Sequence, residues 1–233
     1  MRFSTVCAVA LVLSVSGAAQ AQEYVEYKSR VDRFSVTFPT EPKVVETKIP
    51  SQFNSMLPAR IYTSDSGKSQ FKVTVIDYTN IEAIATEKAK SCPPGAETCR
   101  GGGSSTGAGY WKADIEGAVI WATWEIMKRD LKVTYLGWNN INLVEGHMLY
   151  ATNNADKSRL SAGIYMHENK LYILEGTVPA GYPEPGFFQQ SLGWLDENGN
   201  DIRYESVYHN GFPRPPIARR GGGQAPAAPA APR

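Results

Sequence analysis

Leu160-Ser161-Ala162-Gly163-Ile164-Tyr165-Met166, then His167-Glu168-Asn169, then Leu171-Tyr172-Ile173-Leu174-Glu175-Gly176-Thr177-Val178 is the stretch whose reading decides the fold. Two runs rich in β-branched, aromatic and aliphatic residues flank a short polar turn, which is the pattern of an antiparallel hairpin.

Working outward from that hairpin, Lys132 to Trp138 and His147 to Thr152 read as two more strands, and Asn153-Asn154-Ala155-Asp156 as the turn into Leu160. Nearer the N-terminus, Phe34, Val36 and Phe38 alternate with Ser35 and Thr37 until Pro39 stops the run. Val44 to Ile49, Ala59 to Thr63 and Phe71 to Tyr78 follow as strands, with Ser64-Asp65-Ser66-Gly67 as turn material. Asn80 is placed to cap a short helix through Ile81, Ile84, Ala85 and Lys88, which Pro93-Pro94 cannot continue. Asp114 is placed to cap a second, roughly Ile115 to Lys128, whose alternative reading is a strand through Ala118, Ile120, Ala122 and Trp124. Pro183 and Pro185 precede an expected final helix over Gly186 to Leu195, which Gly193 weakens. Segregated runs of strands and helices define an α+β fold: an antiparallel sheet flanked by helices, in a single domain.

The termini carry a separate message. Arg2, the apolar run Val6 to Val15 and Ala19-Gln20-Ala21 read as a secretory signal over residues 1–21, cleaved between Ala21 and Gln22. The apolar run is too short to span a bilayer, which needs roughly 20 apolar residues. A folded domain is expected over 22–212, interrupted by a Cys/Gly-rich loop at 91–110. A disordered Pro/Ala/Arg tail is expected over 213–233. Without Arg2 the chain has 23 basic and 23 acidic residues, a balance that offers no footprint for nucleic acid. No later stretch suits stable insertion of the mature chain in a membrane. Two cysteines follow the signal, Cys92 and Cys99. An even count in an oxidising compartment favours a disulfide between them, worth about 2.5 kcal/mol for so short a loop.

The segment Asp32-Arg33-Phe34-Ser35-Val36-Thr37-Phe38-Pro39 with Glu41-Pro42 resembles the opening of many exported bacterial domains. With Asn169-Lys170-Leu171-Tyr172-Ile173-Leu174 and Phe187-Phe188-Gln189-Gln190-Ser191-Leu192, the pattern over residues 30 to 196 is similar to the PsbP/Mog1-like group of photosystem oxygen-evolving-complex proteins and nuclear-import factors. The resemblance implies a PsbP/Mog1-like α+β sandwich. It also implies binding of proteins, or of metal ions in some photosynthetic cases. It brings no catalytic set to carry over.

The candidate chemistry is thin. Gly103-Ser104-Ser105-Thr106-Gly107 has nucleophile-elbow spacing, and a hydrolase using Ser105 with His147, His167 or His209 is the enzymatic alternative. The elbow needs a strand before it and a helix straight after it, and neither is readable there. Asp196, Asn198 and Asn200 have the alternation of a calcium loop, but the glycine and glutamate positions hold Asp201 and Val207. Asn198-Gly199 reads instead as a turn. The three histidines are expected as separate surface residues, His167 in the hairpin turn. Trp111, Trp121, Trp124 and Trp138 are expected to pack between helix and sheet, and an exposed subset would mark a binding patch. The chain is therefore expected to be an exported, non-catalytic binding or accessory protein of the periplasm or cell exterior. Its partner would be a protein or another cell-envelope component, with no catalytic residue, cofactor or metal ligand assigned. A divalent-metal-binding domain is the third alternative.

Overall fold

A computed structural model of the chain describes residues 24–95 and 111–210. Eleven strands and three helices occur among them. In chain order they are β1 (Val25–Ser29), β2 (Phe34–Phe38), β3 (Lys43–Pro50), β4 (Met56–Ser66), β5 (Ser69–Asp77), α1 (Ile81–Lys90), α2 (Trp111–Met127), β6 (Leu131–Ile141), β7 (Val144–Asn153), β8 (Arg159–His167), β9 (Lys170–Val178), α3 (Gly186–Gln190), β10 (Gly193–Leu195) and β11 (Asp201–Ile202).

The strands form two antiparallel sheets. The larger has the order β3-β4-β5-β9-β8-β7-β6, and the smaller the order β1-β2-β10-β11. The hairpin β8–β9 lies inside the larger sheet, with pairs running from Arg159 opposite Val178 to His167 opposite Lys170. Its two turn residues, Glu168 and Asn169, both have positive φ, as the tightest hairpin turns require. His167 is therefore the last residue of a strand, not part of the turn.

Strand alternation divides the apolar residues between two cores. Leu160, Ala162, Ile164, Met166 and Leu171 point to the side covered by α1 and α2, where they join Ile81, Ala118, Ala122 and Ile126. Tyr165, Tyr172 and Leu174 point the other way and meet Phe34, Val36, Phe38, Phe188 and Trp194 beneath the smaller sheet. The architecture is α+β in three layers: small sheet, large sheet, helices. Central strands read as near-continuous apolar runs because both of their faces are covered.

Several local expectations change. The strand over Ala59 to Thr63 extends to Ser66, so the turn is confined to Gly67 and Lys68. Asn80 occupies the N-cap of α1, but its side chain caps nothing. The stretch from Ile115 is helical, yet α2 already begins at Trp111. Asp114 therefore sits inside the first turn, buried, where it accepts a hydrogen bond from Ser51 Oγ. The final helix is cut short. It ends at Gln190, and Gly193, Trp194 and Leu195 form β10 against β2. Gly193 serves a close approach: a Cβ there would lie 2.4 Å from Ser35 Oγ. The tail and most of the Cys/Gly-rich loop lie outside the described residues.

Candidate functional site

The turn between β1 and β2 delivers Asp32 into the space between the sheets, where it is 1% exposed. Tyr62 donates its hydroxyl proton to Asp32 Oδ2 at 2.6 Å, and Arg60 Nη1 donates to Oδ1 at 2.9 Å. Lys170 Nζ lies 3.4 Å from Oδ1 and donates to the Val31 carbonyl at 2.6 Å. Tyr172 donates to the Asp32 carbonyl at 2.6 Å. Burial first, and then the Asp32 carboxylate, push the Tyr62 hydroxyl well above the ordinary tyrosine range, so it stays a proton donor. This network ties the smaller sheet to β4 and β9.

Beside it, a polar cavity of about 390 Å³ opens between Arg33, Asp77, Glu168, Lys170, Glu197 and Asn210. Its cations already have partners. Arg33 donates to Glu168, and to Glu197 at 3.3 Å, while Lys170 is held as above. The backbone N–H of Glu168 donates to Tyr208 Oη at 2.9 Å. Asn169 and Asn210 are joined by two contacts of 2.9 Å. The cavity walls are thus the latch that fastens the 204–210 segment to the hairpin. They offer a ligand few uncommitted groups.

The residues singled out from the sequence are not brought together. His167 is fully buried, stacked on Trp194 with ring centroids 4.5 Å apart and bonded through Nε2 to Tyr204 Oη at 2.6 Å. This corrects the expectation of a surface turn residue: Gly163, Tyr165 and His167 share one face of β8, and that face is covered by the smaller sheet. His147 lies on β7 beneath α2. Its Nδ1 meets Thr123 Oγ1 at 2.9 Å, and burial lowers its pKa. His209 is exposed near the end of the described chain. Ser105 and its loop lie outside the described residues. Cys92 is buried just beyond α1, and Cys99 lies outside the described residues. Asp196 Oδ1 accepts the backbone N–H groups of Asn198 and Asn200, both at 2.8 Å, and Gly199 has positive φ. The Asp196–Asn200 stretch is therefore the β10–β11 turn, and its carboxylate is occupied by its own loop. Among the described residues, no three His, Cys, Asp or Glu side chains converge as a metal site.

The tryptophans give the strongest departure from expectation. Trp111 and Trp121 pack partly against the helix-side core, but Trp124 is 57% exposed and Trp138 61%. Pairing across β6 and β7 sets Trp138 opposite His147 and Leu136 opposite Leu149. Leu149 belongs to the helix-side core, so Leu136 and Trp138 stand on the side of the sheet that carries α2. On α2, Ile120 and Trp124 are surface neighbours at helical spacing, whereas Thr123, which meets His147, is buried. Ile120 and Trp124 on α2, and Leu136 and Trp138 on β6, are each at least 45% exposed. Single exposed apolar residues are ordinary; two exposed tryptophans, each with an exposed aliphatic neighbour on its own element, are the subset that the sequence reading tied to a binding patch. The sequence carried one signal for it: Ile120 and Trp124 lie one helical turn apart, off the face of Ala118, Ala122 and Ile126.

The fold is thus an α+β one, two antiparallel sheets with three helices among the described residues. No protein-family model and no curated protein matches the chain. Among solved structures, it is similar to the cyanobacterial PsbP protein CyanoP from Synechocystis sp. PCC 6803. The match has 10% sequence identity and a TM-score of 0.42, and covers 78% of this chain and 99% of that one. No helix among the described residues is long and apolar enough to cross a membrane.

Proposed function

We propose that this is an exported, non-catalytic accessory protein that works by association, through the face formed by α2 and β6. The observation that carries the reading is the exposure of Trp124 and Trp138 beside Ile120 and Leu136. Tryptophan is enriched at the energetic centres of protein interfaces, and its exposure in water is otherwise unfavourable. Cleavage between Ala21 and Gln22 and a Cys92–Cys99 bridge complete the proposal. Both suit a protein that acts in the periplasm or outside the cell.

The test is photo-crosslinking in the exporting cell. A crosslinking amino acid replaces Trp138 in one strain and Val31, 62% exposed at the far turn between β1 and β2, in another. Discrete adducts from position 138 and none from position 31 are expected. Equal or absent adducts at both positions would refute the reading.

A further inference from the structure

On the smaller-sheet side of the larger sheet lies a second cavity, apart from the one walled by the 204–210 latch. It holds about 290 Å³ and opens between the tip of the β6–β7 hairpin and the end of α3. Asn139, Asn140, Asn142, Gln189 and Gln190 line it, and none of its lining residues is charged. Gln189 is 1% exposed. Its Oε1 accepts the Ser161 hydroxyl on β8, while its buried Nε2 has no hydrogen-bond partner. Buried amide groups are ordinarily paired, so this donor calls for an acceptor from outside the chain. The hairpin tip that closes the cavity is held at a backbone cost. Asn142 and Leu143 both have positive φ, which leucine rarely adopts. A tyrosine platform adjoins the cavity. Tyr135, Gly137 and Asn139 alternate on one face of β6, and the Tyr135 ring lies along the strand over Gly137, where a Cβ would come within 2.7 Å of its Cζ. The glycine thus lets the ring lie down on the sheet, and Tyr135 stays 47% exposed. Tyr150 flanks it at 5.5 Å between ring centroids and donates to Met148 Sδ at 2.9 Å. Met148 lines the cavity, so platform and cavity are continuous.

We infer that this platform and cavity bind an N-acetylated amino sugar within a glycan. Trp138 stands on the opposite face of β6, so the inference is separate from the association face proposed above. An acetamido group carries an N–H and a C=O side by side, and a carboxamide answers both with its own C=O and N–H. The acetamido carbonyl supplies the acceptor that Gln189 Nε2 lacks, and the acetamido methyl meets the apolar part of the lining, Met148 and Leu192. The sugar hydroxyls donate and accept, as the remaining carboxamides do. The pyranose ring has a face of C–H groups that packs on an exposed aromatic ring, the surface that Tyr135 offers. Other ligand chemistries each leave part of the site unused. An ion would be taken from water with no counter-charge in the lining. An apolar ligand would strand the carboxamides without partners. The cavity is at the small end of ligand sites, which suits one sugar ring with its neighbours in solvent.

The experiment is isothermal titration calorimetry of the full mature chain with three probes. N,N′-diacetylchitobiose carries the acetamido groups. Cellobiose has the same linkage with hydroxyls in their place, and N-acetylalanine methylamide has amides of the peptide kind without a sugar ring. The acetylated disaccharide is expected to bind with a Kd of about 1 mM or below. The other two bind at least about tenfold more weakly, because each leaves part of the site unpaired. Tyr135→Ala removes the platform, and Gln190→Ala, exposed at the end of α3, removes one carboxamide; each weakens binding about tenfold with an unchanged circular dichroism spectrum. If Tyr135→Ala loses its fold, Gln190→Ala carries the comparison. Val45→Ala, on the distant β3 edge, binds as wild type does. No heat from the acetylated disaccharide, equal affinity for cellobiose, tighter binding of the methylamide, or full affinity in Gln190→Ala and in a folded Tyr135→Ala would overturn the inference.

Discussion

Replacing Asp32 by asparagine keeps the shape of the side chain but removes the charge at the centre of the buried network. Three donors converge on that carboxylate, from Tyr62, Arg60 and Lys170. Hydrogen bonds to a charged group contribute about 1.5–3 kcal/mol each. Arg60 keeps 30% of its side chain in water and recovers much of its share there, so its contribution is discounted. Tyr62 and Lys170 are far less exposed, at 2% for Tyr62 and 12% for the Lys170 side chain, and they recover little. The amide of the variant must also turn its own N–H₂ toward one of these donors. A net loss of about 3 kcal/mol follows. For a chain of this length that lowers the melting temperature by about 6–12 °C. Thermal and urea denaturation followed by circular dichroism give the loss. A cycle with Tyr62→Phe then isolates the shared hydrogen bond, with an expected coupling of about 1–2 kcal/mol. A loss under about 1 kcal/mol, or strict additivity of the two substitutions, would show that the network does not hold the sheets together.

Acid should release a second buried carboxylate. Burial works to raise the pKa of Glu175, but Lys72 at 2.6 Å and Arg129 outweigh it and hold the carboxyl below its ordinary value of 4.5. Its contribution is therefore complete above the unfolded value and is lost as pH falls through the lower, folded one. Glu175→Gln is expected to cost about 1–3 kcal/mol at neutral pH, and the gap between the urea midpoints of variant and wild type should narrow as pH falls below 4.5; a gap that does not narrow with acid refutes the assignment. Gly146→Ala should destabilise the protein by about 3 kcal/mol, since its Cβ would lie 2.1 Å from the Ile164 carbonyl and 2.4 Å from the Tyr165 ring; an unchanged melting temperature would mean that β7 shifts freely on β8. Mass spectrometry of the exported product is expected to find Gln22 or a neighbour at its start, and a chain beginning at Met1 would exclude the signal.

The central strands were legible because their own residues specify them. Ile164 and Leu171 are apolar enough, and Glu168-Asn169 polar enough, to announce a hairpin without help from the rest of the chain. The smaller sheet was not. β10 is three residues long, and Leu192 and Leu195 also fit the helical spacing begun by Phe188. Only the contact of Gly193 with Ser35, far back in the chain, shows that the backbone is extended there. His167 was misplaced for a related reason: it adjoins a turn, and its burial comes from Trp194 and Tyr204. The exposed tryptophans of the proposed docking face were half legible. Trp124 is adjacent to core residues in sequence, and only the register of β6 on β7 shows that Trp138 and Leu136 share its side. The bulge at Thr134, which sets that register, has no local sequence signature.

The smaller sheet is assembled from the two ends of the described chain. Its central contact, Ser35 with Gly193 and Phe34 with Trp194, joins strands separated by the whole of the larger sheet in sequence. Long-range pairings of this kind close late, because the entropy of loop closure precedes any reward from contact. A ribosome or a translocation channel that still holds the segment around Trp194 would hold a chain whose second core cannot yet exist. Phe34, Tyr165 and Tyr172 would wait, uncovered, for one indole to arrive. The fluorescence of Trp194, shielded only once β10 docks, would then time the final step of folding rather than its beginning.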